Sequence, residues 1–377
     1  MAVLDALSMT SHAFVEAHAS ARGGRPGALA AYSAFHRDGR IAWSGEVPAP
    51  IERRIEEPND EGVVIKFTQR VNGDREIATA REAIRRETTY LQTTDLDTES
   101  VLIPMIGRKR RLTHTLCVSS QVGCAMGCTF CETAQMGLIR SLTTAEIVQQ
   151  WWAATHILGR RPANVVFMGM GEPLDNLDAV IRAIAILTDH HGPGLPMSKI
   201  TVSTVGRVDG LRRLAEQVRR PGWHRLNLAV SLNAGDDATR SSLMPINRKY
   251  PLRELQRALI DWPIYGGNKL CFEYVLIPGV NDRREDAANV AGMLAPFRGP
   301  PRRAMVNVIP YNPRRNSPWP APNEEAVSRF LGCLIDEDVY CKRRRTKGRD
   351  MMGACGQLGN ERIRHRRLIP LTTGHGS

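Results

Sequence analysis

The chain has 377 residues, eight cysteines and a formal charge of +12, enough for one large α/β domain plus a smaller one. Asp5, His12, Glu16 and His18 interrupt the apolar start and no basic stretch precedes it, which argues against a secretory signal; no run of about 18 apolar residues is present to span a membrane. The cysteines lie unevenly in a large chain, so they fit a cytoplasmic, reducing setting and metal or redox chemistry better than a disulfide framework.

Residues 1–98 read as a small accessory domain. They open with a helical segment, break at Gly23 to Gly27, and offer a hairpin in which Val63 to Phe67 precedes the turn pair Asn72-Gly73. From Thr113 onward, β-like and helix-like segments alternate. The strand candidates are Thr113 to Ser119, Val165 to Met168, Ile200 to Ser203, Leu226 to Val230, Cys271 to Leu276 and Met305 to Ile309. The first helix between them opens on Thr143-Thr-Ala-Glu146, a capping box. Six such strands predict a parallel sheet of βα units, either an incomplete barrel or an open doubly wound sheet, and a barrel places its chemistry at the strand C-terminal ends.

The loop after the first strand carries Cys124-Ala-Met-Gly-Cys128-Thr-Phe-Cys131. Thiolates select iron-sulfur clusters, zinc or copper(I), and a cubane cluster ordinarily takes four cysteines, so three leave one iron open for chemistry. A structural zinc site is the alternative, but no second Cys-x-x-Cys pair exists to complete it. The second strand ends in Met168-Gly-Met-Gly-Glu172-Pro173, where glycines admit a ligand and Glu172 can accept from an ammonium; alone, this is also an ordinary tight turn. Ser203, Ser231 to Asn233 and Asn312 fall at later strand ends, as cofactor contacts would. Cys117 lies within the first strand, where a thiol is commonly buried as a small hydrophobe. Cys355 sits among small residues in a cationic region, which favours a nucleophilic thiolate.

Residues 340–377 hold ten Lys or Arg against Asp350 and Glu361, so eight of the twelve net charges sit there, with smaller runs at Arg108 to Arg111 and at Arg298, Arg302 and Arg303. Clustered cations are the footprint of a polyanion such as nucleic acid, or else a merely solvated face.

Leu116-Cys-Val-Ser-Ser-Gln-Val-Gly-Cys124, the triad with Thr133-Ala-Gln, Met168-Gly-Met-Gly-Glu-Pro-Leu174, Pro245-Ile-Asn247 with Lys249-Tyr250, Ile309-Pro-Tyr-Asn-Pro313 and Ala354-Cys-Gly-Gln-Leu358 together resemble the radical S-adenosylmethionine (SAM) RNA adenine methyltransferases that act at adenine C2 or C8. The likeness runs in one order from about Glu99 to Leu358 and is loose before that. It implies an α/β fold, an incomplete (β/α)6 barrel over residues 99–345, preceded by the accessory domain and followed by a basic segment, 346–377, that carries the methyl-accepting cysteine. It implies a [4Fe-4S] cluster on Cys124, Cys128 and Cys131, two SAM molecules per turnover, and SAM contacts from Gly171, Glu172, Ser203, Ser231, Leu232, Asn233 and Asn312. Cys355 would be methylated and then joined to the base through its methyl carbon, Cys117 would resolve the adduct by forming a disulfide, and Glu99 would accept a proton. The implied partners are ribosomal RNA, with transfer RNA as an extension, and an electron donor; no membrane is implied. A non-catalytic RNA-binding protein with a structural metal is the reading from a different class. One departure stands out: the family's Ser-Leu-His after the fourth strand is Ser231-Leu232-Asn233, and asparagine cannot titrate near neutral pH.

Overall fold

The computed structural model describes residues 4–41, 48–71, 96–107, 111–299 and 303–359. Its strands are β1 (Ile51–Asn59), β2 (Gly62–Val71), β3 (Leu96–Ile106), β4 (Leu112–Cys117), β5 (Gln121–Gly123), β6 (Leu138–Ser141), β7 (Asn164–Phe167), β8 (Ile200–Thr204), β9 (Asn227–Ser231), β10 (Leu270–Leu276), β11 (Ala304–Pro310) and β12 (Cys341–Arg343). All but β5 and β6, which pair with each other, join one ten-stranded sheet in the order β1-β2-β3-β4-β7-β8-β9-β10-β11-β12. From β4 to β12 every pairing is parallel and the strands follow chain order. A doubly wound sheet reverses its strand order at a switch point. This one never does, so of the two architectures expected from the sequence the molecule takes the incomplete barrel.

The six strands read from the sequence are β4, β7, β8, β9, β10 and β11, each within two residues of its expected bounds. Helices Thr144–Trp152, Leu177–Thr188, Val208–Val218, Leu252–Ile260, Arg284–Leu294 and Glu324–Asp336 form the crossovers and bury one face each against the sheet. The first begins at the expected capping box: Thr143 Oγ1 accepts from Glu146 N at 3.3 Å, and the Glu146 carboxylate accepts from Thr143 N at 2.8 Å.

The described residues among the first hundred go to two places. Helices Ser11–His18 and Gly24–Asp38 dock on the outside of the barrel, where Trp152 Nε1 donates to Phe35 O at 3.1 Å and the Asp189 carboxylate takes the Ser11 amide at 2.6 Å. Strands β1 to β3 instead extend the barrel sheet in antiparallel fashion. The β1–β2 hairpin turns at Asn59 to Gly62, with Asn59 Oδ1 accepting from Glu61 N. Val63 to Phe67 lie in β2 as expected, while the turn pair Asn72-Gly73 and the basic residues Arg108 to Arg110 and Arg302 lie outside the described residues. The boundary drawn between 98 and 99 falls inside β3.

No described helix is long and apolar enough to cross a membrane.

Candidate active site

The triad loop springs from the small β5–β6 ribbon. Gly123 has φ +75° and faces the Gly137 carbonyl so closely that a Cβ would sit 1.9 Å from its oxygen, so only glycine fits. Cys124 N donates to that carbonyl at 2.8 Å. Farther along, Thr129 N donates to Leu243 O at 3.0 Å and Arg314 Nε to Thr129 O at 2.8 Å, which stakes the loop to the strand ends opposite. Backbone N–H groups point at the sulfurs: that of Met126 at Cys124, and those of Ala134 and Thr133, with the Thr133 hydroxyl, at Cys131. Burial pushes the empty thiols up, Cys124 to about 12 and Cys128 and Cys131 also above the usual thiol range.

The three thiols border one cavity of about 150 Å³, together with Gly171, Glu172, Ser203, Ser231, Asn233, Asn312 and Cys355. Ten of the thirteen residues singled out in the sequence therefore meet at one place, the C-terminal ends of the parallel strands. Leu232 does not border it: fully buried, it gives its carbonyl to Arg240 Nε at 3.0 Å. Gly171 has φ +97°, and a Cβ there would fall 2.5 Å from the Gln121 side chain. The glycine expected to admit a ligand is also dictated by the approach of the cysteine-bearing chain. Asn233 explains its own departure from histidine in part. It occupies the left-handed region (φ +60°), accepts from Val275 N at 2.8 Å through Oδ1 and contacts Met244 Sδ through Nδ2 at 3.1 Å. Its amide ties the end of β9 to β10.

Glu172 is enclosed, each carboxylate oxygen taking a backbone N–H, from Leu174 at 3.0 Å and Val205 at 2.9 Å, and burial pushes it up to about 7. The cofactor-free fold therefore binds a proton there that the unfolded chain holds only below about 4.5. That stabilisation is complete below the unfolded value and is lost as pH rises through about 7, at a rate of at most about 1.4 kcal/mol for each step of one in pH. Scanning calorimetry of the cofactor-free protein should show stability falling between pH 5 and pH 8, and Glu172→Gln should flatten that slope; equal slopes would discard the assignment.

A second cavity of about 480 Å³ lies below the first, lined by inward residues of β4, β7, β10 and β11, among them Cys117, Met168, Glu273 and Asn307, and by the C-terminal segment. Cys355 borders both cavities, as do Arg344 and Glu273. Arg344 Nη1 meets Glu273 Oε2 at 3.3 Å, and Cys355, then Glu273 and Cys117, hold the guanidinium firmly protonated. Burial raises both thiols, Cys117 to about 12, while Arg344 pulls each back toward the thiolate. All eight cysteines are free.

Long-range contacts that no local motif announces fasten the Cys355 segment. The Glu57 carboxylate of β1 accepts from the amides of Gly348, Asp350 and Met351 at 3.0, 3.1 and 3.2 Å. Lys66 of β2 donates to Met352 O at 3.1 Å and pairs with Glu99 at 3.1 Å, and Gly359 N donates to Glu99 at 2.8 Å. Glu99, 2% exposed, therefore borders neither cavity and anchors the segment instead. On the other side Glu132 N donates to Gly356 O at 2.7 Å and the Thr133 hydroxyl to Leu358 O. Glu57→Ala removes three charge-assisted bonds of about 1.5–3 kcal/mol each. We expect at least tenfold faster proteolysis between residues 346 and 352 with the barrel left folded; unchanged cleavage would show that the clamp does not hold the segment.

The basic block of 342–349 is also less free than a polyanion footprint implies. Arg344 points inward, Arg343 pairs with Glu324, Lys347 and Arg345 with Glu61, and Arg349 donates to Asn312. The remaining arginines, 362–367, lie outside the described residues.

Comparison with known proteins fits this geometry. The Radical SAM superfamily pattern matches residues 118–291. A protein of Protochlamydia amoebophila described as a probable dual-specificity RNA methyltransferase RlmN 1 is 44% identical over 279 residues, covering 74% of each chain. The dual-specificity RNA methyltransferase RlmN of Anaeromyxobacter dehalogenans is 46% identical over 271 residues, 70% of this chain and 68% of its own. The chain belongs to the RlmN family of radical SAM methyltransferases. The crystal structure of a radical SAM methyltransferase from Sphaerobacter thermophilus superposes with a TM-score of 0.76 at 32% identity, over 95% of this chain and 98% of that one. As a member of that family the protein is an enzyme that uses a [4Fe-4S] cluster and SAM. Its residues fit them: two buried thiols and the half-buried Cys131, with N–H donors aimed at Cys124 and Cys131, share one cavity wall, and the enclosed Glu172 carboxylate faces the same space.

Proposed function

We propose that this protein methylates C2 of an adenine in 23S ribosomal RNA, and in transfer RNA as a second substrate, with Cys355 carrying the methyl group. The observation that supports this most directly is the position of Cys355, which borders both the cavity of the cysteine triad and the cavity of Cys117. The names of the relatives, dual-specificity RNA methyltransferases, point the same way.

Cys124, Cys128 and Cys131 would hold the cluster, and Gly171, Glu172, Ser203, Ser231, Leu232, Asn233 and Asn312 would surround SAM, Leu232 through its backbone. When bound, this pair supplies a methyl group and, after one-electron reduction, a carbon radical. Cys355 gives up its thiol proton on taking the methyl group; its S-methyl then loses one hydrogen atom and bonds through carbon to C2 of the base, and the adduct passes one electron to the oxidised one-electron carrier and the C2 proton to Glu99. Cys117, as thiolate, attacks the Cys355 sulfur, the carbon–sulfur pair goes to the methylene carbon, which takes a proton as the methylated base leaves, and an external dithiol reduces the disulfide that remains. Arg344 stabilises both thiolates across these steps, and Glu99 is assigned the acceptance of a proton, which requires the C-terminal segment to release it from Lys66 and Gly359. The adenine must leave its stack to reach Cys355. Residues 1–98 supply accessory RNA contacts to the barrel of 99–345, and a one-electron donor feeds the cluster.

Anaerobic reconstitution followed by nucleoside digestion and mass spectrometry of treated RNA tests the assignment. We expect iron and sulfide uptake, reductive SAM cleavage and 2-methyladenosine. Recovery of 8-methyladenosine would move the reaction to C8, and a protein that takes up no iron would be an RNA-binding protein instead.

A further inference from the structure

Arg240 is the largest polar side chain fully enclosed by the fold, at 0% exposure. It lies in helix Asp237–Leu243, whose last carbonyl accepts from Thr129, the residue after Cys128. Its guanidinium donates to four neutral acceptors: Nε to Leu232 O at 3.0 Å, Nη1 to Asn247 Oδ1 at 2.8 Å, and Nη2 to Val205 O at 2.7 Å and Ser231 O at 3.1 Å. Among the described residues no carboxylate lies within ion-pair distance of it. The Asp237 carboxylate, which acts on it from farther away, is itself occupied by Leu252 N and Asn247 Nδ2 at 2.8 and 2.9 Å. Val205 and Ser231, whose carbonyls take its Nη2, both line the cavity that the three thiols of the triad border.

A buried ion held only by neutral groups carries a desolvation cost of several kcal/mol that Coulomb attraction does not offset. Folds keep such a charge where an opposite one arrives. Three of the four acceptors, Leu232, Val205 and Ser231, fix the fork at the ends of β8 and β9, behind the wall that Ser203, Ser231 and Asn233 present to the triad cavity. Three thiolates around a [4Fe-4S] core carry a net negative charge that doubles when the core accepts one electron. A fixed cation behind that wall favours the reduced form more than the oxidised one, because the interaction scales with that charge.

We propose that Arg240 is the built-in counter-charge of the cluster, a positioning residue that keeps the cluster reducible by its external one-electron donor. The proposal rests on the cluster reading above. It assigns the arginine a task that its hydrogen bonds alone do not need, since a neutral side chain could also join these strand ends.

The test is a spectroscopic redox titration of reconstituted wild type, Arg240→Met and Arg240→Lys without RNA or SAM, followed by electron paramagnetic resonance, with iron content measured on each. Arg240→Met should leave at least about tenfold less cluster reduced at a given poise, a fall of about 59 mV for one electron. Arg240→Lys, which keeps the charge and loses the planar fork, should stay close to wild type. A methionine variant with full iron and an unchanged midpoint overturns the proposal. So does a lysine variant that falls as far as methionine, because the fork rather than the charge would then matter. Should Arg240→Met fail to fold, Arg240→Gln, which loses the charge and keeps an amide donor, takes its place on the same criterion. A wild type that takes up no iron would fail the cluster reading itself, an outcome distinct from any of these.

Discussion

Replacing Cys355 with alanine should abolish RNA methylation while leaving cluster uptake and reductive SAM cleavage intact. The two readouts separate because of where the residue sits. The triad loop is held by Gly137, Leu243 and Arg314, none of which depends on the Cys355 side chain. The segment around Cys355 is held by backbone groups meeting Glu57, Lys66, Glu132 and Thr133, and these also survive the substitution. Loss of one half-buried sulfur in a cavity wall should cost stability little, whereas loss of the group that carries the methyl removes the reaction, an effect of about 10³-fold or more for a covalent catalyst. Incubation with methyl-labelled SAM, followed by peptide mapping, gives a second check: the label should appear on the peptide containing residue 355 in wild type and on no peptide in the variant. Methylated RNA from the alanine variant at a rate near wild type would remove the carrier role from Cys355 and leave a radical SAM enzyme of another kind.

The parts of the molecule legible from sequence are those whose cause is local. The parallel strands bury one face under the helices and turn the other into the barrel, and β7 to β11 still read as short, largely apolar runs, while the helix after the triad announces itself through Thr143 and Glu146. The site's end of the barrel followed from strand order, because Ser203 and Ser231 sit in the last residues of their strands and the triad, Glu172 and Asn312 follow theirs. The illegible parts join residues far apart in the chain. Glu57 meets the amide of Gly348, 291 positions away, and Lys66 reaches Met352 across 286. Nothing near Glu57 or Lys66 in the sequence sets them apart from other charges on a hairpin. Arg344 was hidden by its company, because in a run of four basic residues one side chain turns into the barrel and only the fold reveals which. Arg240 was hidden differently, since in a short polar helix an arginine reads as solvent-facing until Leu232, Val205 and Ser231 are seen to close around it. Glu99 shows the converse. Its position in the chain was legible, but its present partners, Lys66 and Gly359, tie it to the C-terminal segment, so any proton it takes must wait for that segment to move.

Cys117→Ala should accumulate a covalent protein–RNA species. Cys117 ends β4, is 6% exposed and borders the lower cavity that it shares with Cys355, so a thiolate formed there faces the Cys355 sulfur rather than solvent. Without it, among the described residues, no thiol but that of Cys355 itself lines the cavity, and the adduct formed through the Cys355 methyl carbon has no internal route to release. On denaturing gels the variant, given SAM, reductant and RNA, should shift to a slower band that ribonuclease collapses, while methylated free RNA falls to a small fraction of wild type. The same geometry sets a pH dependence. Burial first, and then the neighbouring Cys355, raise Cys117 to about 12, with Arg344 pulling the other way. Only the thiolate attacks, so below that value the resolving step should slow about tenfold for each unit that pH falls. In wild type, single-turnover release of RNA from the adduct should therefore quicken from pH 7 to pH 9, and in Cys117→Ala it should not respond. A variant that releases methylated RNA as fast as wild type, with no trapped species at any pH, would exclude Cys117 as the resolving thiol and require one reaching Cys355 from outside the barrel.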